Sequence, residues 1–518
     1  MKLLAKPFGF ETGGKPVVIL NKSDAETLGV HALERVLVSA KEKSIIAIVD
    51  ISSQFCLPGE IGISEEIKTA LNVKLGDTLN VKIAPAPESV EFIRQKISGL
   101  RLDAHQMYAI VKDIVEKHLS DIEMSAFVTS LCFHGLSLDE AYHLSEAMFL
   151  TGKKLEIKGR TIVDKHSIGG IPGDKTSLLV VPIIAAAGLT IPKTSSRAIT
   201  SPAGTADRME VLAPVSHTAE EIKKIVKKTN GCLVWGGALD LAPADDSLIK
   251  IEFPLGIDPL LLPSIMSKKR SVGANFLVID IPTGRGAKIK TTGEANNLAQ
   301  QFIALGHKMN ITVQCAATFG EQPLGYAVGP ALEAQEALNT LIGNYSSEVL
   351  EKATHIAGML LELTGKVRNG NGKEIAMNII KSKKAERKMR EIIAEQGGNE
   401  KIKPEDIPVG SKFVDIKSEK DGRVFWIKNS DIVLIAREAG APKDAGAGIR
   451  FFVKMGDPVK KGQTIMRIYS NNSQNLETAL KLAENLEPII IGKKYEEKML
   501  IEKIPSKIPH KKFVIIER

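Results

Sequence analysis

VDKHSIGGIPGDKTS, residues 163–177, and KTSSRAITSPAGTADRME, residues 193–210, decide how the rest of the chain is read. The first stretch predicts a short strand over Thr161–Asp164, a glycine-rich turn, and a helix from near Asp174. Free N–H groups at a helix N-terminus, together with the helix dipole, favour an anion there. Lys165 adds a positive charge, and Ser167, Thr176 and Ser177 add hydroxyl donors. The second stretch gathers Ser195, Ser196, Arg197, Thr200, Ser201 and Thr205 within eleven residues. Two donor-rich loops joined by one apolar helix can face each other across a pocket, and the pattern points to an oxyanion site, most simply for phosphate. Gly169, Gly170 and Gly173 do not follow the Walker spacing, and no GK[ST] is present. A glycine-rich turn after a strand is otherwise only a turn; the second loop, with Arg197 beside Lys165, is what turns the reading to an anion.

The two loops resemble the signature of the thymidine and pyrimidine-nucleoside phosphorylases, in particular the type-2 group shared with AMP phosphorylase. The similarity runs through most of the chain. It implies an α/β multidomain protein: a helical lobe plus a mixed α/β lobe of the class II nucleoside phosphorylase type, with an extra N-terminal β-rich domain and a C-terminal α+β, hammerhead-like domain. The expected boundaries are 1–84 for the β-rich domain and 88–157 for the helical lobe, completed by about 240–275. The α/β phosphate-binding lobe is expected over 158–239 and 276–410, and the C-terminal domain over 411–518.

The residues agree with that division. Pro16–Leu20, Arg35–Ser39, Ser44–Val49 and Thr78–Ile83 read as short strands, and Ala84-Pro-Ala-Pro87 as a stiff linker. From Glu88 the period becomes helical, with Met107, Ile110, Val111 and Ile114 on one face. Ser120 with Glu123, and Ser137 with Glu140, have capping-box spacing. His105, His118, His134 and His143 share no ligand spacing. Phe276–Ile281 is a continuous apolar run, as in a parallel strand covered on both faces. Lys381–Gln396 reads as a charged helix with a solvated face. Gly446–Ser470 resembles half of a biotinyl or lipoyl hammerhead, but its expected tip, Met466-Arg467-Ile468-Tyr469, has no lysine to modify, so a structural barrel is expected. Lys493–Arg518 reads as a final strand pair.

Composition narrows the function classes. Hydrophobic content is 43% and charged content 25%, ordinary for a globular protein of 518 residues. A net charge of +8 with only 5% aromatics suits small anionic substrates and not a nucleic-acid surface. Cys56, Cys132, Cys232 and Cys315 lack metal or disulfide spacing. The N-terminal MKLLAKPFGF predicts no signal peptide, and the uncharged run Thr176–Pro192 is short for a membrane span and carries Pro182 and Gly188. The expectation is a cytoplasmic protein with no membrane partner, and the family resemblance implies a homodimer or larger homo-oligomer.

Phosphorolysis moves a pentosyl group from a base to phosphate through an oxocarbenium-like state. The protein must hold the phosphate in line and stabilise the departing base. The resemblance implies that Lys165, Ser167, Gly169, Gly170, Ser177, Ser195 and Thr205 hold phosphate. His166 would stand beside the substrate as a catalytic group; that it only braces the turn stays open. Arg197, also catalytic, would face the sugar with Ser196, Ala198, Ile199, Thr200 and Ser201. Ser264 and Lys268, four residues apart, would share a helix face at the base, with Lys288 beside them. Asp258 would protonate the leaving base, which requires a pKa raised by burial. Where thymidine phosphorylases of bacteria and animals grip the pyrimidine with an arginine, this chain has Glu252, whose carboxylate cannot supply those donors.

The leading expectation is phosphorolysis of a nucleoside or nucleoside 5′-monophosphate, as in a type-2 thymidine phosphorylase. The alternative is AMP phosphorylase chemistry, giving adenine and ribose 1,5-bisphosphate. No cofactor or metal is expected, with inorganic phosphate as co-substrate. More remote are a magnesium-dependent phosphoribosyltransferase, for which Asp245 and Asp246 are the only adjacent carboxylates near the site, and a non-catalytic nucleotide-binding protein.

Overall fold

Alternating apolar residues in the first 83 positions roll into a closed barrel. The computed structural model describes residues 1–157, 159–198 and 201–493. Six strands, Lys2–Pro7, Val17–Leu20, Arg35–Ala40, Lys43–Ile51, Glu60–Ile63 and Thr78–Ile83, form the barrel. Val36, Val38, Leu79 and Val81 point inward and are buried, and closure removes the open edges that would otherwise pair with other chains. The strands Lys2–Pro7 and Glu60–Ile63 are not among those the alternation predicts: each is short, and glycine interrupts the second at Gly62. Arg35 ties the barrel to the helices that follow: its guanidinium pairs with Glu123, and its Nε donates to the carbonyl of His118 at 2.9 Å.

Those helices span Glu88–Ile97, Ala104–Val115, Asp121–His134 and Leu138–Thr151. Both capping boxes form, at Ser120 and at Ser137. Pro243–Leu255 and Leu261–Ser271 return from later in the chain, and Ala244, Leu248 and Leu260 join the same core as Met107, Ile110 and Phe127. Inside this lobe Lys96 and Glu140 are an ion pair at 2.6 Å, both side chains almost inaccessible.

In the α/β lobe, Phe276–Thr283 lies between Val163–Ser167 and Thr312–Phe319, all parallel. Its interior residues are buried on both faces, as its unbroken apolar sequence requires. Ile191–Ser195 pairs in parallel with Gly231–Trp235, and a bridge from Ile162 to Thr190 joins the two sheets. The Ser177–Ala186 helix is buried along its length from Ser177 to Ala185 and packs against Ser347–Leu363 and Lys384–Glu395. The charged Lys384–Glu395 helix is therefore not simply solvated: Ala385, Met389, Ile392 and Ile393 form a buried stripe on it.

Beyond Lys412 two antiparallel sheets replace the barrel expected there. Met466-Arg467-Ile468-Tyr469 is not a tip. It lies within the strand Thr464–Ser470, with Met466 and Ile468 buried and Arg467 paired to Asp415 at 2.6 Å. This domain is docked firmly on the α/β lobe. Ala327–Val328 pairs with Gly448–Phe451, and the Asn429 amide donates to the carbonyls of Gly286 (3.2 Å) and Gly320 (2.9 Å). Residues 494–518, read as a strand pair, lie outside the described residues.

Removing one member of a buried ion pair leaves the other charge without compensation, at a cost of about 3–5 kcal/mol. Lys96→Met is expected to lower unfolding free energy by about that amount, and adding Glu140→Gln to recover much of it, both measured by urea denaturation.

Candidate active site

The site begins at the carboxyl end of the Val163–Ser167 strand, the end where parallel sheets collect ligands. The strand continues past Asp164, where it was expected to stop, because residues 163–167 keep pairing with Phe276–Asp280. Lys165, His166 and Ser167 are thereby delivered at its end. Gly170 then turns the chain with φ of 93°, a left-handed value natural to glycine. A Cβ there would lie 2.7 Å from the amide nitrogen of Lys288, so glycine lets this loop pack directly on the loop carrying Lys288.

The helix after the turn starts at Ser177, not near Asp174. Its first amides are partly used: Thr176 N–H donates to Asp174 and Leu178 N–H to the carbonyl of Lys175. The anion site accordingly depends on side chains more than on a bare helix end. The second loop is fastened by Asp207, which accepts from the amides of Ala198 (2.7 Å) and Gly204 (2.8 Å). Arg197 lies over the Trp235 ring at 5.0 Å and is paired with Glu210 at 2.6 Å. Its charge is thus shared with a carboxylate and not wholly free for a substrate.

Both loops open into one cleft of about 300 Å³. Lys165, His166, Ser167, Gly169, Gly170 and Ser177 line it from the first loop, and Ser195, Ser196, Arg197, Ser201 and Thr205 from the second. Asp258, Ser264 and Lys268 come from the helical lobe, and Lys288 from the loop after Phe276–Thr283. Ala198 and Glu252 are not on this wall, and Ile199 and Thr200 lie outside the described residues. Lys193, Arg208 and Asp174 also line the cleft and were not singled out. Lysine or arginine at an apolar strand end or in a short helix that must be buried was the available signal.

Electrostatics explain what the cleft demands. Asp164 is buried between Lys269 Nζ (2.5 Å) and Lys193 Nζ (3.6 Å). Asp280 accepts from Thr318 Oγ1 at 2.6 Å and pairs with Lys352 at 2.7 Å, and Lys352 stands 3.8 Å from Asp174. Burial lowers Lys165 against the pull of Asp174 and Asp280, and burial with Lys269 and Lys165 nearby holds Lys193 well below the ordinary lysine value. His166 is driven well below 6.5 by burial and then by Lys269, Lys193, Lys268 and Lys165. Four lysines around a neutral imidazole form a site short of negative charge.

At the other end, Lys268 is held by buried Asp245 at 2.7 Å; burial pulls its pKa down, but Asp245 carries it above the usual value. Asp245, one of the two adjacent carboxylates that a magnesium-diphosphate site would use, is thus paired with Lys268. Asp258 departs from expectation: it is exposed, and Lys288 Nζ donates to it at 2.8 Å, so the burial that a proton donor requires is missing in this arrangement. Burial instead falls on Glu252, whose carboxyl accepts from the Leu260 amide at 3.3 Å. Burial, reinforced by Asp258, pushes it up to about 8. Its place on the Pro243–Leu255 helix turns it toward Leu260 and away from the expected base contact.

Comparison with known proteins gives this geometry its family. Residues 90–152 match the helical bundle domain of the glycosyl transferase family, 159–386 its a/b domain, and 424–489 the pyrimidine nucleoside phosphorylase C-terminal domain. Over its whole length the chain is 46% identical to the AMP phosphorylase of Thermofilum pendens, covering all of both chains. It is 49% identical to that of Pyrococcus horikoshii, covering 95% of this chain and 98% of the relative. The crystal structure of anthranilate phosphoribosyltransferase from Thermus thermophilus shares the fold, at 18% identity and a TM-score of 0.50 over 59% of this chain and 99% of that one. The chain belongs to the thymidine/pyrimidine-nucleoside phosphorylase family, in the type-2 group that includes the AMP phosphorylases. It is a pentosyltransferase with nucleoside phosphorylase activity. Among the described residues no helix is long and apolar enough to cross a membrane.

Two titrations follow from the burial. The unfolded chain protonates histidine at the ordinary 6.5 while folded His166 resists, so stability falls as pH drops through that value. His166→Asn is expected to lose less stability than the parent between pH 7 and 5.5, by about 1 kcal/mol, in denaturation curves at the two pH values. Glu252 has the opposite sign: its folded pKa is raised, so stability is full in acid and falls as pH rises toward 8. Glu252→Gln is expected to be stabilising at pH 8 by up to about 4 kcal/mol and neutral at pH 4.

Proposed function

We propose that the chain catalyses phosphorolysis of AMP: AMP and phosphate give adenine and ribose 1,5-bisphosphate. The C1′–N9 bond breaks, a C1′–O bond to phosphate forms, and the departing adenine takes up a proton. The observation that carries the choice of base is residue 252. A grip on a pyrimidine needs hydrogen-bond donors there, and the structure has a buried carboxyl turned to its own backbone. The full-length relatives named AMP phosphorylase support the same reading, and thymidine, the leading expectation from sequence, gives way to it.

Phosphate would lie between the loops, on Lys165, Ser167, Ser177, Ser195 and Thr205, with Gly169 and Gly170 giving close backbone approach. The lysine excess around His166 favours the dianion, and its arrival would raise the imidazole's pKa. Arg197, Ser196 and Ser201 would face the sugar phosphate, and Ser264, Lys268 and Lys288 the base. Asp258 would deliver the proton once the bound base displaces Lys288 from it and closure of the helical lobe buries it.

Chromatographic assay of base release, with and without phosphate, tests the reading. AMP is expected to yield adenine only when phosphate is present, and at least a hundredfold faster than thymidine yields thymine. Faster thymine release would overturn the choice of base, and release independent of phosphate would overturn phosphorolysis. Asp258→Asn is expected to lower kcat by about 10²–10⁴-fold in the same assay.

A further inference from the structure

Away from the catalytic cleft, the α/β lobe has a second cavity of about 490 Å³, between the end of the edge strand Thr312–Phe319 and the Ser347–Leu363 helix. Its wall is largely apolar, with Leu324, Ile356 and Met359. The strand pairs only on its Phe276–Thr283 side. Thr312 N–H donates to Asn275 and Gly320 N–H to Thr283, which fixes the even-numbered residues as those bonded inward. The N–H and C=O groups of Ala317 and Phe319 therefore face outward, and both residues line the cavity.

An outward C=O followed two residues later by an outward N–H is the pair that a parallel neighbour would engage with one residue, by donating one hydrogen bond and accepting the other. A flat heterocycle with an amino group beside a ring nitrogen presents the same donor and acceptor. Only residues 316–319 of the strand line the cavity, too short an edge to take up a peptide strand. The rim carries Glu348 and Glu351 beside Lys352 and His355. Lys352 is already committed to Asp280 at 2.7 Å, and Glu348 to Lys454 at 2.9 Å. No spare cluster of cations remains for a phosphate.

We infer that this cavity is a second, non-catalytic binding site for an uncharged aminopurine, as free base or nucleoside, held by the backbone of Ala317 and Phe319 against Leu324, Ile356 and Met359. The site backs onto the phosphate cradle, because Thr318 and Lys352 line the cavity and both hold Asp280. It discriminates in the opposite sense from the catalytic cleft, accepting the base without its phosphate.

Equilibrium dialysis of the full-length protein with labelled adenine, without phosphate, tests it, and measures binding whether or not AMP is the substrate. Adenine binding is expected to survive Lys268→Ala, which alters the catalytic cleft, and to weaken at least tenfold in Met359→Trp, which fills the cavity. Phe319→Pro, which removes the outward N–H of that pair and no ladder bond, is expected to weaken it as well and serves if Met359→Trp does not melt cooperatively. Unlabelled adenosine is expected to compete, and AMP to compete at least tenfold less well. Loss of binding in Lys268→Ala alone, equal affinity in the parent and the cavity variants, or competition by AMP as strong as by adenosine overturns the proposal.

Discussion

Lys165, Lys193, Lys269 and Lys352 are buried within reach of only Asp164, Asp174 and Asp280. Burying a charge costs several kcal/mol even after relaxation, and a partner must offset it. The imbalance is tolerable because it opens onto the cleft, where an anion can complete the count. Burial first, and then the same deficit, depresses His166 and Lys193.

The cleft is built from pieces far apart in sequence, and each is aimed by a different device. Parallel pairing with Phe276–Asp280 places Lys165 and His166. Asp207 closes the second loop through two backbone amides, and the Ser201 hydroxyl donates to the carbonyl of Ala203 at 3.1 Å within it. Asp245 sets Lys268 from below. The Asp258–Lys288 pair is the one direct ionic link across the mouth of the cleft among the residues lining it. It joins the helical lobe to the α/β lobe, and its length and exposure suit a contact that can break and reform.

What could be read in the sequence was local chemistry. Capping boxes at Ser120 and Ser137, the apolar strand at Phe276 and the two hydroxyl-rich loops each carry their signal within a few residues. The convergence of both loops on one cleft followed from the single apolar helix between them. Partnerships at long range were invisible: nothing near Asp164 announces Lys269, and nothing near Lys352 announces Asp280. The burial of Glu252 and the exposure of Asp258 were invisible for the same reason. Which of two carboxyls six residues apart is buried depends on how the Pro243–Leu255 helix meets Leu260, and that is settled by packing. The strand containing Met466 was read as a hairpin tip because residue pattern alone cannot tell a turn-flanked strand from the turn itself.

Asn429 belongs to the C-terminal domain, yet its side chain grips Gly286 and Gly320, in the two loops that follow the strands Phe276–Thr283 and Thr312–Phe319. Gly286 is two residues from Lys288. The appended domain is therefore part of the foundation under the loop that carries Lys288 to the cleft. Evolution could not exchange or shed that module without re-anchoring the loop, and a shortened chain lacking it would have to find another buried amide to do so.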